Sequence, residues 1–215
     1  MRQQKRANMR KGFSGSIPFE NQHLWHSRGY LKHYEGESVY QLITYRQDDS
    51  LPKSVLKKID NEVKHEDMEK IDLKRRKLIE KYLDAGYGSC LLGIPKVAEA
   101  VIENWKFFDG VRYELISGVV MPNHVHVLVK IYPNWALGKI VWTWKKYISK
   151  FIYQENVIAA SACGAPDKIW QREYWDRFIR DEDHYKSAIN YILENPYKAG
   201  LVKKPQVWPW VYLKN

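Results

Sequence analysis

The chain has 215 residues, enough for one well-buried domain with some decoration and too few for two ordinary ones. Lys and Arg number 35 against 25 Asp and Glu, a formal charge of +10 that draws in polyanions such as nucleic acid or acidic membrane. The two cysteines, Cys90 and Cys163, are too few and too far apart for a disulfide framework or a CxxC metal site, and no apolar run approaches the ~20 residues of a membrane span.

Residues 1–35 are rich in Arg, Lys, Gly, Ser and Asn without clear periodicity, and are expected to form a basic N-terminal extension ahead of a single domain over residues 36–215. No apolar stretch of signal-peptide length follows the basic N-terminus, so the expectation is a soluble protein of a reducing, cytoplasmic compartment, associated with the nucleoid and not with membrane. Nucleic acid is then the anionic partner, and 9 Trp, 15 Tyr and 6 Phe suit stacking on unpaired bases, although most such rings fill cores.

Residues 39–46 (VYQLITYR) are β-branched and aromatic and read as a first strand. From 53 to 83 the apolar residues Leu56, Ile59 and Val63, then Ile71, Leu78 and Tyr82, recur at helical spacing amid dense mixed charge. This predicts a surface helix or helical pair whose charges are solvated. Pro95 sits where a first-turn proline is tolerated, heading a helix to about Phe107. Residues 113–120 (YELISGVV) and 124–131 (HVHVLVKI) are strands joined by Met121-Pro122-Asn123, the turn chemistry of a hairpin.

Residues 135–152 form the clearest helix, with Leu137, Ile140, Val141, Trp144, Tyr147, Ile148 and Phe151 on one face and Lys139, Lys146 and Lys150 on the other. A loop follows to Asp167, and then residues 170–180 (WQREYWDRFIR) alternate aromatic and charged side chains like an edge strand. The last helix runs over 181–195, opening on acids that favour its dipole and closing at Pro196. This order predicts an α+β, ferredoxin-like sandwich: an antiparallel sheet with helices on one face, and a C-terminal helix carrying the reactive groups.

Chemistry concentrates in two places. On a strand, His124 and His126 point to the same face with Cα atoms roughly 6.5 Å apart, so two imidazoles can share one metal. A lone His on a sheet is usually structural. Here the apolar flanks imply a central strand whose opposite face is buried, so the imidazoles must occupy a cleft or break the pattern without reason. A catalytic metal needs a third ligand, and the last helix offers one: Tyr191 and Asn195 lie one turn apart on a common face. If Asn195 lends a carbonyl oxygen, the Tyr191 phenol arrives beside it.

The segments VVMPNHVHVLV (119–129), TWKKY (143–147), WQREYWDRFIRDEDHY (170–185), INYILENPYKAGLV (189–202) and WPW (208–210) resemble the blocks of the REP-associated tyrosine transposases, a group of the IS200-like, HUH single-tyrosine transposase superfamily. The likeness runs from about Tyr40 to the C-terminus and leaves out residues 1–35 and the charged helix near 53–83. It implies His124, His126 and Asn195 as metal ligands and Tyr191 as nucleophile. Two positions depart from the pattern: Leu193 stands where His is frequent, and Tyr197 where Val is frequent, a rival phenol expected to lie past Pro196 and off the helical face.

The resemblance implies a metal-dependent endonuclease and strand transferase that forms a 5′-phosphotyrosine on single-stranded or hairpin DNA, the hairpin being a repeated extragenic palindrome. It leans towards a monomer acting in cis, with a homodimer as the alternative. Phosphate oxygens suit a hard divalent cation, Mg²⁺ or Mn²⁺. Candidate DNA backbone contacts are Lys139, Lys145, Lys146 and Lys150 with Arg172, Arg177 and Arg180, and His184 is a candidate helper of the phenol. The competing expectations are a domesticated protein that binds DNA hairpins without cutting, and a hydrolytic metal nuclease.

Overall fold

The computed structural model describes residues 25–27, 32–34, 39–66, 68–160 and 168–214. Most of the basic extension, and Cys163, lie outside these residues. Within the extension, β1 (Trp25–Ser27) and β2 (Lys32–Tyr34) pair as a short antiparallel ribbon. The remaining elements are β3 (Tyr40–Arg46), α1 (Lys53–Val63), α2 (Met68–Asp84), α3 (Pro95–Lys106), β4 (Tyr113–Val120), β5 (His124–Ile131), α4 (Leu137–Gln154), β6 (Trp175–Phe178), α5 (Glu182–Lys198) and β7 (Val211–Leu213).

One five-stranded antiparallel sheet has the order β6-β3-β5-β4-β7. Its first four strands, with α3 and α4 as crossovers, form the split β-α-β-β-α-β arrangement, so the predicted α+β fold is borne out. β7, which the sequence did not announce, extends the sheet beyond β4, and the Trp208 indole secures it by donating to Val120 O at 2.9 Å. β5 is the central strand. Because side chains alternate across it, Val125, Val127, Val129 and Ile131 face one side while His124, His126 and Leu128 face the other.

The first side is covered by α3 and α4. Trp105 and Trp144 are fully buried there against Ile43, Tyr45, Tyr113 and the β5 valines. Its largest rings are tied by hydrogen bonds: the Trp105 indole donates to Tyr45 OH (2.9 Å), Tyr113 OH to Trp105 O (2.6 Å), and the Trp144 indole to Tyr113 OH (2.9 Å). Gly118 is what lets the Trp105 ring lie flat against β4, since a Cβ there would come within 2.6 Å of the ring. A β-bulge between Leu115 and Ser117 shifts the β4 register, so Ile116 and Val119 reach the second side.

That second side carries α5, whose Ala188 and Ile192 pack on Tyr40, Ile116, Val119 and Leu128. The C-terminal helix thus lies across the sheet from α3 and α4. The α1–α2 pair closes on its own seam, Leu51, Val55, Ile59, Ile79 and Leu83, one position off the apolar set that the sequence pattern singled out in its second half. One boundary is corrected. Asp181 caps α5 by accepting from His184 N, but the helix does not close at Pro196; it continues to Lys198 and ends before Gly200, whose φ is +73°. A proline in the last turn forfeits one backbone hydrogen bond and leaves the helix able to finish.

Candidate active site

Two imidazoles, a phenol and an amide meet where α5 crosses β5. Neighbours two apart on the strand, His124 and His126 have ring centroids 4.9 Å apart and are both 1% exposed. The Tyr191 hydroxyl lies 3.2 Å from His126 Nε2, with the rings edge to face at 4.9 Å. One helical turn on, Asn195 is buried, and its Oδ1 has no hydrogen-bond partner among the described residues. The four residues picked out by spacing are therefore brought together. Tyr197 is half exposed; it lies on the helix after all, but six residues turn it roughly 240° away from Tyr191.

Neighbouring residues set the imidazole tautomers. The Asn123 amide nitrogen donates to Leu83 O (3.2 Å) and Tyr87 O (2.9 Å), which turns its Oδ1 to His124 Nδ1 at 2.8 Å. That carbonyl can only accept, so His124 carries its proton on Nδ1 and leaves the Nε2 lone pair open. In the sheet register Thr44 stands opposite His126, and its hydroxyl is 2.7 Å from His126 Nδ1. With the phenol donating to Nε2, the His126 proton also sits on Nδ1. Burial, then His126, then Arg46 push the His124 pKa well below its ordinary value, and burial takes His126 down to about 3. Both rings are neutral, the form that binds cations.

The phenol is held far from ionisation. Burial, then Glu80 and Asp84, push the Tyr191 pKa up, while the Asn195 amide and Arg76 oppose them. The two acids come from α2, the helix whose charges were expected to be solvated. The Asp84 carboxylate is 3.9 Å from His124 Nε2, and burial followed by Glu80 raises its pKa to about 6. Glu80, Asp84, Tyr191, Asn195 and Lys198 share one cavity of about 510 Å³. A second cavity, about 430 Å³, also reaches Tyr191 and is lined by Arg76, Lys77, Trp175, Arg177, His184 and Ser187 among others.

Of the seven basic residues named from the sequence, Arg177 lines this second cavity. Lys139, Lys146 and Lys150 are exposed on α4, across the sheet from the histidines, with Lys146 4.7 Å over the Trp142 ring. Lys145 is engaged by the chain itself: its ammonium donates to the carbonyls of Gln171 (2.9 Å), Arg172 (3.3 Å) and Glu173 (3.3 Å), and burial lowers its pKa to about 8. Arg172 is exposed beside Glu173, and Arg180 is exposed near His184. His184 faces the cavity but accepts from Arg180 N through Nδ1 at 3.3 Å.

Sequence reasoning missed Thr44, Asn123, Arg76, Glu80 and Asp84. Arg76, Glu80 and Asp84 do recur at four-residue spacing on one helical face. Among so many charges, that spacing alone picks out nothing.

A cation fits these groups on their chemistry. Among the described residues no three His, Cys, Asp or Glu side chains form a ready cage, so the unpartnered Asn195 Oδ1 becomes the natural complement to two neutral imidazoles. Among the described residues no helix is long and apolar enough to cross a membrane.

Residues 94–195 match the family model for IS200-like transposases, a span that contains both histidines, Tyr191 and Asn195 and excludes α1 and α2. The chain is 29% identical over 102 residues to the REP-associated tyrosine transposase of Escherichia coli K12, covering 46% of this chain and 53% of that protein. A Haemophilus influenzae protein, provisionally given the same name, is 25% identical over 103 residues, 46% of this chain and 57% of the relative. The matched stretch thus spans little more than half of each relative. A solved structure of a REP-associated tyrosine transposase bound to a REP hairpin shares the fold, with a TM-score of 0.54 at 17% identity over 85% of this chain and 81% of that one. The family resemblance read from the sequence blocks is borne out.

Proposed function

We propose that this chain, a relative of the IS200-like transposases through residues 94–195, is a metal-dependent single-tyrosine enzyme that cuts and rejoins single-stranded or hairpin DNA. The observation that carries the reading is the Tyr191 hydroxyl 3.2 Å from His126 Nε2, with the His124 ring and the unpartnered Asn195 Oδ1 beside it. His124 and His126 through Nε2, with Asn195 through Oδ1, would hold Mg²⁺ or Mn²⁺. Such an ion supplies charge neutralisation at the scissile phosphate.

Tyr191 is the nucleophile. Its oxygen forms a bond to phosphorus as the bond to the 3′ oxygen breaks, leaving a 5′-phosphotyrosine. The proton lost by the phenol is matched by the one the departing 3′ oxygen takes up, and attack by another 3′-hydroxyl reverses the step without a nucleotide cofactor. The His126 Nε2 lone pair would serve either the phenol or a cation, and the Tyr191 hydroxyl 3.2 Å away is the group it would give up where an ion is held. Arg76, Lys77 and Arg177 line the approach to Tyr191 and attract the phosphate backbone. DNA in a hairpin is the partner that the relative bound to a REP hairpin supports.

The test is a labelled hairpin oligonucleotide with Mn²⁺. A covalent adduct that Tyr191→Phe abolishes supports this reading. Cutting that persists in Tyr191→Phe points to a hydrolytic nuclease, and binding without adduct or cutting points to a hairpin-binding module.

A further inference from the structure

We propose that Asp84, delivered by α2, closes on the divalent cation as an additional anionic ligand, so that this chain holds its ion with two imidazoles, an amide and a carboxylate; among the described residues these side chains are not grouped as a cage ahead of the ion, and Asp84 stands 3.9 Å from His124 Nε2. The inference rests on reading His124, His126 and Asn195 as the cation site. It goes beyond the family pattern because Asp84 lies outside the matched residues 94–195.

Three observations converge on it. The first is the His124 tautomer. With Nδ1–H committed to Asn123 Oδ1, the remaining Nε2 presents a lone pair, and the nearest acidic group is Asp84 Oδ1 at 3.9 Å. A lone pair and a carboxylate oxygen repel at that range unless something positive lies between them. Two donors that each sit ~2.1 Å from one ion are at most about 4.2 Å apart, so 3.9 Å lies within the span that a single cation bridges.

The second is the surroundings of the carboxylate. Among the described residues Asp84 has no hydrogen-bond donor and no Lys or Arg partner, and the charged side chain acting on it is another acid, Glu80. A half-buried carboxylate without a counter-charge is costly, and a cation removes the cost. The third is convergence: Asp84, Asn195 and Tyr191 line the same cavity, so the carboxylate and the unpartnered amide oxygen open on a common space.

The backbone explains how a helix outside the family region is held to this task. Asn123, in the turn leading into β5, donates to Leu83 O and Tyr87 O on either side of Asp84, while its own carbonyl oxygen sets His124. One buried amide therefore aligns the end of α2 with the imidazole. A carboxylate in the set also favours hard ions such as Mn²⁺ and Mg²⁺ over softer ones.

The experiment is a Mn²⁺ titration of the full chain without DNA, following the free ion by electron paramagnetic resonance, with circular dichroism confirming the fold of each variant. Wild type is expected to bind one Mn²⁺. Asp84→Asn and Asp84→Ala, two variants so that a folding failure of either leaves the other, should each weaken binding about tenfold or more, and Asp84→Glu should restore most of it. Asp84 variants within twofold of wild type, together with loss of binding in His126→Ala, overturn the role of Asp84 and leave the cation site standing. Mn²⁺ affinity that His126→Ala does not change, or a wild type that takes up no ion, overturns the cation site and this inference with it.

Discussion

The two faces of the central strand use buried polar groups in opposite ways. Under α3 and α4, Tyr45, Trp105, Tyr113 and Trp144 close a chain of hydrogen bonds in which each buried polar group named has its partner. Under α5, His124 keeps an open Nε2 facing a carboxylate and Asn195 keeps an unpaired oxygen. Burial is nearly complete on both sides. Satisfied polar groups in a dry core hold one packing arrangement; unsatisfied ones at the same depth carry a desolvation cost that a ligand would remove. The contrast is the physical basis for reading the α5 face as the proposed site and the α3–α4 face as its scaffold.

It can be broken by mutation, and the largest effect belongs to the site face. Tyr191→Phe should lower adduct formation with hairpin DNA at least about a thousandfold, because it removes the hydroxyl that stands against His126 Nε2. It should change thermal stability by no more than about 1 kcal/mol, the worth of one neutral hydrogen bond. On the scaffold face the effects reverse: Trp105→Ala should cost about 3–5 kcal/mol in a denaturant titration and Gly118→Ala about 1–3 kcal/mol through overpacking against the Trp105 ring. A Gly118→Ala protein as stable as wild type would show that Trp105 can move aside.

Acid should act through the site face. His126 stays neutral in the folded chain down to about pH 3, whereas an unfolded histidine takes up its proton near pH 6.5. Between those values the unfolded chain binds more protons, so stability of the metal-free protein should be intact above about pH 6.5 and fall as pH drops towards 3. Melting scans across that range, compared with His126→Gln, should show a shallower fall in the variant.

The smallest effects concern DNA contacts. Arg177→Ala, beside Tyr191, should weaken hairpin binding and reduce the salt slope by about one, whereas Lys146→Ala, across the sheet, should change neither appreciably. Equal effects from the two would mean that the hairpin wraps around to α4.

Much of this was legible in residue order. Strict alternation through HVHVLVKI placed β5 and gave its two imidazoles one face, and a four-residue step set Tyr191 and Asn195 on one side of a helix. Both periodicities are local, fixed by backbone geometry. The last turn of α5 was misjudged because a proline near a helix end costs little, and β7 escaped notice because three residues carry no readable period.

The sequence by itself therefore determined which groups could do chemistry and which of them share an element: the imidazole pair, the phenol and amide, and the basic charge that suits nucleic acid. Only the tertiary structure decided that α5 crosses β5 at those residues, that Lys145 is committed to the chain's own carbonyls, and that Asp84 of α2 comes to His124. The reason is that spacing along the chain constrains neighbours within a few residues. Contacts between residues 40 or 65 apart, such as Leu83 with Asn123 or His126 with Tyr191, are set by which apolar seams close against one another.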